Sequence, residues 1–181
     1  SIESSLNDFA RDKLHCELIS DKIIRKDRSL AYENVKIKNE LISFEADKLL
    51  FEYRVKPLSC EIDLHVTLFK PKLETDLSIE QMEKFFKGFT PYSLIRVSPH
   101  LSVHEGVLVF PGAGEVVAIS YLQNRLSLGL GDQGIFNAHV DKEEVKVHAE
   151  QIQLKKVSRI LAVLWPNAQQ FSFTGGTVNA K

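Results

Sequence analysis

The stretch NVKIKNELISFEADKLLFEYRVKPLSCEIDLHVTLFKPKL, Asn34 to Leu73, alternates apolar and polar residues through most of its length. Leu49, Phe51, Tyr53 and Val55 share one parity, and Ile62, Leu64, Val66 and Leu68 repeat the habit. A period of two sends successive side chains to opposite sides of a strand, so such a ribbon builds a sheet with one apolar and one wet face. The constraint is severe, because that apolar face must be covered by something.

The same rhythm extends outwards. Strands are expected at about 14–24, 30–38, 41–56 and 60–70, with Pro57 at a bend where a missing amide donor is harmless. After residue 99 the rhythm resumes in LSVHEGVLVF, EVVAISYL, NRLSLGL, GIFNAHVD and EEVKVHAEQIQL, punctuated by turns at Pro111–Gly114 and Gly129–Gly134. Leu126, Leu128 and Leu130, then Phe136, Ala138 and Val140, then Val145, Val147 and Ala149 keep to one parity.

Helical spacing interrupts three times. Ile2, Leu6, Phe9, Ala10 and Leu14 form a short amphipathic stripe at the start. Ile79, Met82, Phe85, Phe86 and Phe89 form a second, with Ser78 and Gln81 placed as a capping box and Gly88 where the helix frays. Val157, Ile160, Leu161 and Leu164 form a third that Pro166 ends. Helix, proline and strand thus occur twice, and Leu101, Val103 and Gly106 align with Phe171, Phe173 and Gly176 at one offset. The expected fold is mainly β: a curved, mostly antiparallel sheet forming an open groove or half-barrel, with a few short helices. Residues 1–181 read as one β-rich module of a longer protein, with sub-units at 1–74 and 75–181.

Chemistry-bearing patterns resolve into structure. GLGDQG matches G-x-G-x-x-G through Gly129, Gly131 and Gly134, but a strand follows where a dinucleotide site requires a helix. The glycines fit a hairpin that needs positive φ. His100 and His104 lie ~13 Å apart along a strand, too far to share a zinc ion with Glu105. His65, His139 and His148 take the polar parity, and Glu144, Lys146, His148 and Glu150 read as a solvated face with cross-strand charge pairing. Cys16 and Cys60 form no metal pattern, and have the option of one bridge in an oxidising compartment. No enzyme and no cofactor is expected. A balance of 23 basic against 24 acidic residues argues against nucleic acid as a partner.

The apolar parity remains. An ordinary packed core is the bland explanation; the sharper one is a groove for acyl chains, where each buried methylene contributes ~0.8 kcal/mol. Two helices of about twelve residues are scant cover for eight or more strands, which favours the groove. Its candidate lining is Leu49, Phe51, Tyr53, Val55, Ile62, Leu64, Val66, Leu68, Leu126, Leu128, Phe136, Val145 and Val147.

Glu33–Glu74 resembles the amino-terminal module of AsmA-like and TamB-like envelope proteins. That module reads as a "leNVxI" strand, an "FxAdxLxxxY" strand, a Leu-containing bend and an "I-x-L-x-V-x-L-x-x-P-x-L" strand. The matching residues are Asn34, Val35 and Ile37; Phe44, Ala46, Asp47, Leu49 and Tyr53; Leu58; and Ile62, Leu64, Val66, Leu68, Pro71 and Leu73. VHEGVLVF and FTGGTVNA resemble the family's later "dG-x-[VL]-x-[FA]" strands. The resemblance implies a periplasmic module held to the inner membrane by an anchor outside these residues. It further implies phospholipid, or another acyl-chain ligand, as the partner, with envelope proteins alongside. The alternatives are a β-rich adaptor with a fully packed core and a closed-barrel carrier of a small hydrophobic ligand.

Overall fold

A computed structural model describes residues 2–13, 15–59, 61–86, 96–141, 144–168 and 176–180. The strands are β1 (Lys22–Lys26), β2 (Ser29–Lys38), β3 (Ile42–Lys56), β4 (Glu61–Phe69), β5 (Lys72–Thr75), β6 (Arg96–Phe110), β7 (Glu115–Leu122), β8 (Arg125–Leu130), β9 (Gly134–Val140), β10 (Val145–Gln153) and β11 (Thr177–Ala180). The helices are α1 (Ile2–Lys13), α2 (Ile79–Phe86) and α3 (Leu154–Leu164).

All strands join one sheet in the order β1-β2-β3-β4-β6-β7-β8-β9-β10-β11, with β5 continuing β4 between β3 and β6. β4 and β5 act as one interrupted strand, because both keep the same register against β3 and against β6. Neighbours are antiparallel except at the junction with β6, where β4 and β5 run parallel to it. A parallel junction needs a long return connection, and α2 lies on it. Edge strands β1 and β11 do not meet, so the mainly β, mostly antiparallel sheet is open and the closed-barrel alternative is excluded.

The alternation that builds the sheet is reset at a line of left-handed residues. Asn34, Lys70, Glu105 and Gln151 have φ of 51°, 47°, 51° and 51°. Beside Asn34, Glu105 and Gln151 the apolar parity slips by one: Tyr32 and Val35, Val103 and Gly106, and Ala149 and Ile152 are all buried three residues apart. A left-handed residue turns the chain through the pleat, so the residues on either side of it return to the same face. Asn34, Asp47, Lys70 and Glu105 stand in line across four strands, between registered pairs on either side. Lys70 Nζ reaches Asp47 at 3.9 Å and Glu105 at 4.0 Å.

That line also truncates the first expected strand. Ile19 pairs with Lys36 through two hydrogen bonds, but the ladder breaks opposite Asn34 and resumes only at Lys22. Asn34 Nδ2 instead donates to Asp21 Oδ2 at 2.8 Å. The strand expected over 14–24 is therefore confined to Lys22–Lys26 plus this single bridge.

Two clusters form the core. Tyr32, Val35, Leu49 and Phe51 are buried beneath Leu18, with Ile23, Leu30, Phe44, Leu64, Val66 and Leu68 around them. Phe110, Val117 and Ile160 form the second, with Leu108, Leu128 and Leu130 from the sheet and Val163 and Leu164 from α3 packed against it. A partly buried ion pair holds α3 there: Arg159 Nη1 donates to the buried Glu115 Oε1 at 2.9 Å. The capping box of α2 is present, with Ser78 N–H donating to Gln81 Oε1 at 2.9 Å and Gln81 N–H to Ser78 Oγ at 3.3 Å. Gly88, Phe171, Phe173 and Cys60 lie outside the described residues.

Candidate functional site

The register places the sequence-selected apolar residues on one side of the sheet. Leu49 faces Leu68, Phe51 faces Val66, Tyr53 faces Leu64 and Val55 faces Ile62. Leu126 faces Ala138, which faces Val147; Leu128 faces Phe136; Val145 faces Val140. One cross-strand row ties the two halves together: Ile23, Tyr32, Leu49, Leu68, Val103, Tyr121, Leu126, Ala138 and Val147. Nine strands at the usual spacing make this row about 38 Å long.

Burial falls away along it. Tyr32, Leu49 and Val103 are buried, while Leu68, Tyr121, Leu126 and Ala138 are half-buried. At the far end, and along the free ends of β3 and β6, the apolar face is bare: Val55 is 57% exposed, Leu101 48%, Val140 49%, Val145 61% and Val147 41%. Leu18 packs against the first core cluster and α3 against the second, and these exposed residues belong to neither. Leu49 and Phe51 belong to the chain's own core, and Leu128 packs beneath α3. The accessible surface is narrower than the sequence set: Tyr53, Val55, Ile62, Leu101, Tyr121, Leu126 and the valines of β9 and β10. Leu101 and Val140 were missed as lining; each shares its parity with the selected residues, which was the available signal.

The opposite side carries the polar parity. His65 and His100 face one another and stack with ring centroids 4.7 Å apart; His104 stacks on Phe69 at 4.9 Å. Lys56 Nζ donates to Asp63 at 3.0 Å, and this hydrogen bond holds the Asp63 carboxyl below its ordinary pKa. On β10 the expected cross-strand charge pairing is replaced by pairing along the strand, Lys146 with Glu144 at 3.2 Å and His148 with Glu150 at 3.6 Å. The residues across from Lys146, His148 and Glu150 on β9 are His139, Asn137 and Ile135, none of them a carboxylate.

GLGDQG forms the β8–β9 hairpin. Gly131 has φ +78°, and a Cβ on Gly134 would stand 2.6 Å from the Leu130 carbonyl oxygen. Among the described residues, no group of three His, Cys, Asp or Glu side chains is placed to hold a metal ion, and no helix is long and apolar enough to cross a membrane. Burial raises the Cys16 thiol above its ordinary pKa, and its Sγ donates weakly to the Ala10 carbonyl at 3.7 Å.

No family model, curated protein or solved structure matches the chain.

Proposed function

We propose that this chain is a non-enzymatic lipid-handling module whose apolar sheet face holds acyl chains. The observation that carries the reading is the exposure of Val55, Leu101, Val140, Val145 and Val147 on the same side of the sheet as a buried apolar row that crosses it. Hydrocarbon suits such a surface because it brings dispersion contact without needing hydrogen-bond partners. Large apolar side chains left exposed together on one face of a folded chain mark a surface that meets something else.

The motifs of Glu33–Glu74 support a finer placing among AsmA-like and TamB-like envelope modules. There the chain would work in the periplasm, tethered to the inner membrane from outside these residues, conducting phospholipid or supporting outer-membrane assembly. Extraction of the purified chain with organic solvent, followed by mass spectrometry, tests the reading. Co-purifying phospholipid in stoichiometric amount is expected. A lipid-free protein that also leaves an environment-sensitive apolar dye dark overturns it in favour of a protein-binding adaptor.

A further inference from the structure

On the side of the sheet away from the apolar strip, β7 to β10 enclose a shallow groove of about 580 Å³. Its floor is two cross-strand rows. Arg125, His139 and Lys146 face one another in the first; Ser127, Asn137 and His148 do so in the second. None of the residues lining the groove is acidic. Lys146 is partly offset by Glu144 and His148 by Glu150, but both carboxylates belong to the rim, on β10 and the residue before it. Arg125 has no carboxylate partner among the described residues, and the buried Nδ1 of His139 has no hydrogen-bond partner.

Arg125 and Lys146 flank His139 in one cross-strand row, which sets two cationic side chains on the same face of the sheet. Arg125 and Lys146 are two strand spacings apart, ~10 Å, a gap that two long cationic side chains span around a tetrahedral anion. Ser127 already uses its hydroxyl proton on Asn137 Oδ1 at 2.6 Å, which leaves the Asn137 amide group free to donate. We propose that this groove is a binding site for a phosphate-type oxyanion, with Arg125 and Lys146 as its charged donors and His139 between them. The site is independent of the acyl-chain reading, since it lies on the other face.

The test is an NMR titration of the full chain with inorganic phosphate at fixed ionic strength, following the Arg125 and Asn137 side-chain NH and the His139 ring. Saturable shifts are expected with phosphate and with sulfate, and none with chloride. Arg125→Gln should weaken binding roughly tenfold or more, the loss of one charge-assisted hydrogen bond. Lys36→Gln, a change to an exposed lysine on β2, should leave it unaltered. Absent shifts, equal shifts with chloride, or unchanged affinity in Arg125→Gln overturn the site. A second arm separates the sources of the anion. Flotation with vesicles of equal parts phosphatidylcholine and phosphatidylglycerol, lost in Arg125→Gln, assigns it to a lipid headgroup. Phosphate binding without flotation assigns it to a free phosphate or phosphoryl ligand.

Discussion

Replacing Val145 by aspartate separates a bare ligand-holding face from an ordinary core. Val145 keeps 61% of its surface exposed and faces Val140, itself about half exposed. Fully burying a valine side chain contributes about 1.5–3 kcal/mol, so an acyl chain that covers the exposed three-fifths of Val145 gains about 1–2 kcal/mol there. Losing that contact weakens hydrocarbon binding about five- to thirtyfold, and the cost of desolvating a carboxylate adds to the loss. Folding is nearly untouched, because Val145 belongs to neither core cluster and substitutions of such surface residues change stability by about 0.5 kcal/mol or less. The assay is titration of a fluorescent fatty acid alongside thermal melting of the same sample. Ile135→Asp is the control, since Ile135 is 45% exposed on the opposite side. Equal weakening by both variants, or unchanged affinity in Val145→Asp, refutes the assignment of the face.

Phe51→Ala removes a buried aromatic ring from the first core cluster and should cost about 3–5 kcal/mol, read as a lowered denaturation midpoint. Arg159→Ala leaves the buried Glu115 carboxylate without its hydrogen bond and should cost about 1.5–3 kcal/mol, whereas Arg159→Ala combined with Glu115→Leu should recover part of that loss in urea unfolding. Glu105→Gly relieves a left-handed residue whose side chain is largely exposed, and should raise stability by about 1 kcal/mol in the same measurement. Gly134→Ala forces a Cβ against the Leu130 carbonyl and should lower the melting temperature, by a loss of about 1–3 kcal/mol.

Local signals carried most of the architecture. Period-two patterning located β2, β3, β4 and β6 to β10, and the turn chemistry of Gly131 and the Ser78–Gln81 box were readable because each involves residues close in sequence. Asn34, Lys70, Glu105 and Gln151 gave no such warning. Three of them are residue types with no preference for left-handed backbone, so the slips of apolar parity beside them, as from Tyr32 to Val35 and from Ala149 to Ile152, were the trace they left. The parallel junction of β4 with β6 depends on contacts about 35 residues apart, which periodicity cannot report. The apolar lining was legible as a face but not as a boundary. Leu49, Phe51 and Leu128 share the parity of Val145 and Val147, and it is tertiary packing, by Leu18 and α3 among the described residues, that draws them into the core.

Isotope-filtered NOEs between valine, leucine and isoleucine methyls of the protein and the acyl protons of bound lipid report which face of the sheet holds hydrocarbon. Cross-peaks are expected from Val55, Leu101, Val140, Val145 and Val147, and none from Val116 or Ile135, which are comparably exposed on the other side of the sheet. Contacts distributed over both faces, or no contact from the valines of β9 and β10, would contradict the acyl-chain reading.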